Sequence, residues 1–248
     1  MSALTAHCIV KNEENFIWYA VKSVVDFVDQ VIVFDTGSED KTVEIVQNLV
    51  KDYPDKIVFE EKGECDKKRH THLRQEMIDR TTTGWFMILD GDEVWTMRGM
   101  KEAVRIIKED RVNSIESFFY ECVGDIFHTH YKSSFKTIRF AKSNIAEWRN
   151  EYGLDTLISK KSNEIITQSG SELLKNKFWH LTHLPRSVCG GEDFSSGGKR
   201  SKKIIKTYFI IGKKIQEVVP EVFNGGAGLS MSFFKSFFYF ILFFLKKY

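Results

Sequence analysis

Several features are scarce in this chain of 248 residues, and each absence narrows the class of protein. The four cysteines are scattered without a CxxC pair, so the sequence predicts neither a zinc site nor a disulfide framework, and reduced thiols are expected in a cytosolic protein. Net charge is also small: 36 basic and 34 acidic residues give +2, which offers no whole-protein argument for a nucleic-acid partner. No basic segment precedes the first apolar run, so we expect no signal peptide, and no internal repeat is visible. With 42% hydrophobic content, a soluble globular protein with a full core is expected.

The most informative stretch is GWFMILDGDEVW, residues 84–95. Five apolar residues run directly into Asp90, Gly91, Asp92 and Glu93. A short apolar run that ends in clustered carboxylates is typical of a buried strand that delivers acids to the carboxyl edge of a sheet, where open α/β sheets bind ligands. Three neighbouring carboxylates repel one another, so the cluster favours a bound cation or a proton. The first interpretation is a divalent metal that holds a phosphorylated ligand, and the alternative is an acidic, solvated turn.

Strand-like and helix-like patterns alternate through the first 110 residues. Buried strands are predicted over residues 4–10, 30–34, 56–59 and 85–89, with amphipathic helices between and after them. This order predicts a mostly parallel sheet with helices on both faces. The second half is less regular. Strands are predicted at 114–123, 136–140 and 177–184, loops and short pieces at 143–170, and a basic helical run at 199–214.

Three motifs carry a resemblance to a known family: CIVKNEENF, VIVFDTGSEDKTVEIV and LDGDEVW. In this order and at this spacing, they resemble the nucleotide-binding half of family 2 glycosyltransferases. The similarity covers roughly residues 4–110 and is thin beyond residue 140. It implies a GT-A type, Rossmann-like α/β fold and an inverting transfer of a sugar from a nucleotide-diphosphate sugar to a hydroxyl or phosphate acceptor.

Other classes fit the sequence less well. A haloacid-type phosphatase would need a nucleophilic aspartate on the first strand, which here ends in Val10-Lys11-Asn12. A nucleotidyltransferase would need a Gly-rich basic loop after that strand, and none is present. The remaining alternative is a membrane-associated protein that binds sugar nucleotides or acts as a scaffold without turnover.

The resemblance assigns roles to individual residues. Asp90 and Asp92 match the family's DxD pair and would bind Mn²⁺ or Mg²⁺, with Asp92 as the catalytic ligand and Asp90 on the metal or the ribose. Asp35 lies where the family reads the base, and Arg74 would contact the diphosphate. The alternatives are a turn role for Asp35, a cap role for Asp40 and a solvated charge for Arg74. The full set expected to bind the donor is Asn12, Glu14, Asp35, Arg74 and Asp90.

A third metal ligand is expected from the segment WHLTH. His180 and His183 are three residues apart, so on a strand they point to opposite faces and at most one reaches the metal. His183, nearer the end of the predicted strand, is preferred. The alternative is a core histidine satisfied by the backbone.

The base that deprotonates the acceptor is expected to be a carboxylate, as in inverting family members. Glu192-Asp193 in CGGEDF resembles the family's ED motif, and Asp193 is the expected base, with Glu147 and Asp155 as alternatives. A helix cap in a Gly/Ser loop is the competing interpretation. The histidines precede the ED pair here, whereas in many GT-A enzymes the metal histidine follows it, so the two assignments are in tension.

The C-terminus differs from the rest of the chain. Residues 229–245 are strongly apolar and rich in phenylalanine, and the apolar part at 233–245 spans about 20 Å as a helix against about 30 Å of hydrocarbon core. We therefore expect a helix that lies in the membrane interface, with basic residues of the 199–214 run facing anionic lipid. A core or dimer-forming helix is the alternative.

The expected organisation is a GT-A domain at 1–215, with a donor half at 1–110 and an acceptor half at 111–215, followed by a membrane-associating segment at 216–248. We expect a cytoplasmic protein peripheral to a membrane, with a glycan or lipid-linked acceptor.

Overall fold

The computed structural model describes residues 4–130, 135–151, 154–187 and 213–224. The first half alternates strands and helices, as the sequence predicted. The elements are β1 (Leu4–Val10), α1 (Ile17–Val24), β2 (Gln30–Asp35), α2 (Thr42–Asp52), β3 (Ile57–Glu61), α3 (Lys67–Arg80), β4 (Trp85–Ile88), β5 (Glu93–Val94) and α4 (Met97–Glu109).

The second half consists mainly of strands. They are β6 (Ser114–Glu121), β7 (His128–Thr129), β8 (Lys136–Lys142), β9 (Ala146–Glu151), β10 (Leu154–Ser159), β11 (Ser171–Leu173), β12 (Phe178–His180) and β13 (Lys213–Lys214). Two expectations differ from the structure. β9 and β10 form an antiparallel hairpin where loops were predicted. The strand predicted over 177–184 ends at His180, because the chain turns there and the Leu184 N–H donates to the Leu181 carbonyl at 2.8 Å.

The main sheet has the order β3-β2-β1-β4-β8-β6-β12-β5, with β11 beside β6. β1 runs parallel to β2 and β4, and β2 runs parallel to β3. β8 is antiparallel to both of its neighbours, β12 is parallel to β6, and β5 is antiparallel to β12. Since β8 alone reverses the direction between β4 and β6, the carboxyl ends of β1, β2, β4, β6 and β12 all lie at one edge of the sheet. Ligands of open α/β sheets bind at such an edge.

Helices cover both faces of the sheet. Alternate side chains of β2 point to opposite faces. Val31 and Val33 join the largest core cluster together with α1, α2 and α4. Ile32 and Phe34 pack instead with Met77 of α3. The predicted α/β architecture with helices on both faces is therefore confirmed.

Residues 213–224 pack against the domain. β13 pairs with β7, and the ring of Phe223 lies 5.3 Å from that of Tyr19 on α1. The Glu221 carboxylate accepts a hydrogen bond from the Met97 N–H at the start of α4, at 3.1 Å. The boundary predicted after residue 215 thus falls inside a packed segment.

Most of the predicted membrane-associating segment, residues 225–248, lies outside the described residues, as does the basic run at 199–212. Within the parts of the chain that the structure describes, no helix has the length and hydropathy needed to cross a bilayer.

Candidate active site

Hydrogen bonds from side chains to the backbone join the loops after β1 and β2. Asn12 adopts a left-handed backbone conformation, with φ 55°, which asparagine tolerates better than most residues. Its Oδ1 accepts from the Glu39 N–H at 2.8 Å, and its own N–H donates to the Ser38 hydroxyl oxygen at 2.8 Å. The Asp40 carboxylate accepts from the Glu14 N–H at 3.2 Å. Asn12 and Glu14 therefore lie at the carboxyl edge, where the sequence placed them, and fix the shape of the two loops.

Asp35 is buried at the end of β2, and its carboxylate accepts hydrogen bonds within the turn that follows. Its Oδ1 accepts from the N–H groups of Gly37 and Ser38, each at 2.9 Å, and the Ser38 hydroxyl donates to Oδ2. Gly37 has φ 88°, a conformation that favours glycine. The turn role considered for Asp35 is present in the structure, and recognition of a base by Asp35 stays a prediction.

The loop after β4 presses against the loop after β1. A Cβ atom on Gly91 would lie 2.9 Å from Val10 Cγ1 and 3.0 Å from Glu13 Cγ, closer than packed side chains allow. On its other side, the Asp92 carbonyl accepts from the Leu181 N–H at 2.8 Å. Gly91 therefore lets two acids sit where the loops after β1, β4 and β12 meet.

Asp90 lies between two arginines. Arg74 of α3 donates from Nη2 to Oδ1 at 3.2 Å, and Arg139 of β8 donates from Nη2 to Oδ2 at 3.5 Å. Burial by itself raises the pKa of Asp90, but the guanidiniums of Arg139 and Arg74 outweigh it, and the pKa is lowered. Arg74, predicted to contact the diphosphate, also lies with Nε 3.4 Å from Asp155 Oδ2. Both oxygens of Asp90 thus face cations of the chain.

Arg139 is a residue that the sequence analysis did not single out. It lies at a β-bulge, since Ile115 pairs with Phe140 but the next residue, Glu116, pairs with Ile138. One extra residue on β8 changes the direction of its side chain. The available signal was a charged residue inside a run predicted to be a strand, because a buried arginine requires a carboxylate partner.

The partner is the buried Glu93, with which Arg139 forms an ion pair. The Arg139 guanidinium also lies 5.2 Å from the centre of the Phe178 ring. Complete burial raises the pKa of Glu93 to about 8, although Arg139 opposes that shift. Arg139 therefore connects Asp90, Glu93 and the core.

Asp92, the third acid, faces His180 at the end of β12. His180 Nε2 lies 3.4 Å from Asp92 Oδ1, and only 4% of the Asp92 side chain is exposed. Burial lowers the pKa of His180, but the charge of Asp92 and a hydrogen bond to it raise that pKa by more. A carboxylate oxygen and an imidazole nitrogen thus converge at the carboxyl edge.

The preference for His183 as the metal-side histidine does not match this geometry. β12 ends at His180, so His183 lies in the following turn and the strand alternation no longer applies to it. Its Nε2 lies 2.7 Å from Glu121 Oε1, and the hydrogen bond to His183 is the main cause that lowers the pKa of Glu121. The structure places His180, and not His183, beside Asp92.

Comparison with known proteins identifies the family. The model described as "Glycosyl transferase family 2" matches residues 6–180. The chain belongs to glycosyl transferase family 2. This confirms the resemblance that the three motifs carried.

Two curated relatives share 31% identity over 128 residues: the SPbeta prophage-derived glycosyltransferase SunS of Bacillus subtilis (strain 168) and the glycosyltransferase SunS of Bacillus phage SPbeta. The match covers 52% of this chain and 28% of each relative, so the chain spans under a third of their length.

Among solved structures, S. aureus TarS 1–349 in complex with UDP-GlcNAc has a TM-score of 0.52 at 14% identity, covering 79% of this chain and 61% of that one. A second S. aureus TarS structure has a TM-score of 0.50 at 12% identity, covering 85% and 44%. At such identities the likeness concerns the fold, and the fold agrees with the GT-A prediction.

Two side chains of this site are of kinds that bind divalent metal ions. In the described ranges, no group of three or more His, Cys, Asp or Glu side chains is placed to hold one. Asp92 and His180 supply two ligands of types that suit Mn²⁺. Ions bound with nucleotides commonly take one or two protein ligands and fill the remaining positions with phosphate oxygens and water. The pair therefore fits an ion that binds together with a diphosphate.

The candidates for the base lie in different places. Asp193 and its neighbour Glu192 are outside the described residues. Glu147 pairs with Arg149 of the same strand at 3.0 Å.

The Asp155 carboxylate accepts a hydrogen bond from the Thr71 hydroxyl, and its Oδ2 lies 2.5 Å from His70 Nδ1. It therefore joins the β9–β10 hairpin to α3. Burial raises the pKa of Asp155, but the hydrogen bonds with His70 and Thr71 lower it by more. In the structure, Asp155 holds the β9–β10 hairpin against α3.

Proposed function

We propose that this chain transfers a sugar from a nucleotide-diphosphate sugar to an acceptor hydroxyl or phosphate, with inversion. The observation that carries the proposal is the convergence of Asp92 and His180 at the carboxyl edge. The edge is where ligands of open α/β sheets bind, and membership of a glycosyl transferase family supports the reaction class. Two matched relatives are named glycosyltransferases, and the S. aureus TarS structure contains UDP-GlcNAc.

The donor is proposed to bind across the loops after β1, β2 and β4. Asn12, Glu14 and Asp35 would surround the nucleoside, because they line two loops that hydrogen bonds already hold in one arrangement. Arg74 would attract the diphosphate, since its guanidinium, in contact with Asp90, lies next to the acid loop and packs 5.0 Å from the Trp148 ring.

Asp92 and His180 are proposed to hold a divalent ion, Mn²⁺ or Mg²⁺. When bound, such an ion stabilises the negative charge of the departing diphosphate. Asp92 supplies a carboxylate that is almost fully buried, so its charge acts in a site with little competing water. Asp90, which the sequence analysis also assigned to the metal, faces Arg74 and Arg139 instead, and its proposed role is to support the loop.

Asp193 is proposed as the base that takes the proton from the acceptor. The described alternatives support this choice indirectly, because Asp155 is engaged by α3 and Glu147 by Arg149. The carboxylate would act on the side of the sugar opposite to the leaving diphosphate, as inversion requires.

The acceptor is proposed to be membrane-bound, such as a polyprenyl phosphate or a lipid-linked sugar, and the protein to act at the cytoplasmic surface of a membrane. The support is the apolar composition of residues 229–245 and the basic residues that precede them. Lys213 and Lys214, exposed on β13, belong to this basic run.

The proposal is tested with a panel of nucleotide sugars. A donor that binds the folded protein must raise its melting temperature, and we expect one nucleotide class to do so only when Mn²⁺ or Mg²⁺ is present. The same donor should then be consumed when acceptor lipid is added. Stabilisation without turnover against any acceptor would favour the alternative of a sugar-nucleotide-binding protein that does not catalyse transfer.

A further inference from the structure

Arg139 is a nearly buried cation to which neither the family resemblance nor the proposed reaction assigns a role. Only 10% of its side chain is exposed. One atom, Nη2, bridges two carboxylates: it lies 3.5 Å from Asp90 Oδ2 and forms the ion pair with Glu93 Oε1. The Phe178 ring, 5.2 Å from the guanidinium carbon, lies alongside the same group. Because three groups contact it, the buried guanidinium of Arg139 is held in one orientation. The guanidinium of a solvated surface arginine can take several.

The contacts of Arg139 divide the acid cluster into two parts. Asp90 and Glu93 face Arg139, and Asp90 also faces Arg74. Asp92, between them in sequence, faces His180. Three adjacent carboxylates would otherwise repel one another, so a cation on the outer two allows the loop to stay folded with the central one directed elsewhere.

The bulge in β8 makes this arrangement possible. Phe140 pairs with Met87 of β4, so the preceding residue, Arg139, lies near the carboxyl end of β4, where the acid loop begins. Side chains alternate between the two faces of a strand. Without the extra residue in β8, residue 139 would therefore lie on the opposite face of the sheet.

We propose that Arg139 is a positioning residue that holds Asp90 and Glu93, so that Asp92 alone among the three acids faces a divalent ion together with His180. The inference rests on the proposed metal site. Arg139 acts through the acid loop and touches neither donor nor acceptor.

The direction of the change in metal affinity distinguishes two effects of Arg139: positioning of the acid loop, and electrostatic repulsion of the metal ion. Removing a nearby cation by itself strengthens the binding of a divalent cation, because a repulsion is lost. Loss of positioning weakens it, and partners that orient metal ligands typically contribute about 10- to 100-fold in metal affinity. The two explanations therefore predict opposite signs.

The experiment titrates the full-length protein with Mn²⁺, first alone and then with UDP present, and follows free Mn²⁺ by electron paramagnetic resonance, with UDP in protein-free buffer as the blank. We expect Arg139→Gln to weaken Mn²⁺ binding by about 10-fold or more and Arg139→Lys to recover part of the loss. The matched control is Lys142→Gln on the same strand, which removes a 2.8 Å pair with the exposed Asp110 and should leave Mn²⁺ affinity unchanged.

A second variant addresses folding. Arg139→Gln removes the partner of the buried Glu93 carboxyl, which can destabilise the protein, so Arg139→Gln/Glu93→Gln also replaces that carboxyl with a neutral amide. We expect the double variant to melt at a higher temperature than the single variant and still to bind Mn²⁺ weakly. If folded Arg139 variants bind Mn²⁺ as tightly as the unaltered protein or more tightly, the positioning role is overturned and the proposed metal site stands. Absence of Mn²⁺ binding by the unaltered protein, both alone and with UDP present, would overturn the proposed metal site, and the positioning role with it.

Discussion

His180 at the end of β12 and Asp92 in the loop after β4 are 88 positions apart in sequence, yet His180 Nε2 lies 3.4 Å from Asp92 Oδ1. Two features create this pair. β12 pairs with the short β5, whose first residue, Glu93, lies opposite His180. The Leu181 N–H then donates to the Asp92 carbonyl at 2.8 Å. The backbone thereby holds the two side chains at the edge of the sheet where the loops after β1 and β2 also lie.

Removal of the Asp92 carboxylate charge should abolish metal-dependent transfer. We expect Asp92→Asn to be inactive at any Mn²⁺ concentration and to melt near the temperature of the unaltered protein, because asparagine has nearly the same shape. The unaltered enzyme should lose activity in excess EDTA and regain it with Mn²⁺. Asp110→Asn, an exposed site with φ 51° that asparagine tolerates, is the control. Full turnover in EDTA would rule out the metal.

The two histidines of WHLTH provide a matched pair. His180→Gln should raise the Mn²⁺ concentration needed for half-maximal activity by about 10-fold or more, since an imidazole ligand is lost. His183→Gln should leave that concentration nearly unchanged, because glutamine can still donate to Glu121. Metal titrations of both variants give the answer. The reverse pattern would restore His183 as the preferred metal ligand.

The proposed base is tested by Asp193→Asn. We expect the turnover number to fall by about 10²- to 10⁴-fold while donor affinity stays nearly constant, since binding of the donor does not require deprotonation of the acceptor. Single-turnover rates and donor titrations separate the two quantities. A variant with normal turnover would move the role to Glu147 or Asp155, and Asp155→Asn would then have to lower the rate without releasing the β9–β10 hairpin.

Gly91 should not tolerate a methyl group. In Gly91→Ala the new Cβ would meet Val10 at 2.9 Å and Glu13 at 3.0 Å, so the acid loop must move. We expect a loss of about 1–3 kcal/mol in the free energy of unfolding, as for other overpacked sites, together with reduced activity. Gly84→Ala, with no atom within 4 Å of its added Cβ, is the control and should be close to neutral. Chemical denaturation of both variants measures the difference.

The membrane proposal concerns residues 229–248. The full chain should pellet with anionic liposomes, and a variant lacking these residues should stay in the supernatant with unchanged donor binding, because it keeps residues 213–224, which pack against the domain. Raised salt should weaken the binding of the full chain if its lysines contact lipid headgroups. A full chain that stays monomeric in the supernatant would contradict the proposal and favour a soluble acceptor.

Local patterns in the sequence were enough to predict the first half of the molecule. Except for the short β5, each strand and helix up to residue 110 follows from the spacing of its own apolar residues, and the acids of the second and fourth strands necessarily lie at the carboxyl edge because parallel strands end together. The family motifs fall within this region, so the family was also predictable.

Contacts between distant residues decided the rest. The β9–β10 hairpin was missed because the face that packs on α3 is partly polar: the side chains of Asp155 and Asn150 contact His70 and Thr71, which no local periodicity reveals. Which histidine lies beside Asp92 depends on where β12 ends, and the position of the Arg139 side chain depends on a bulge that only pairing with β6 defines. A sequence pattern reports which side chains are buried, whereas the partner that each buried charge requires is selected by packing between segments that are far apart in the chain.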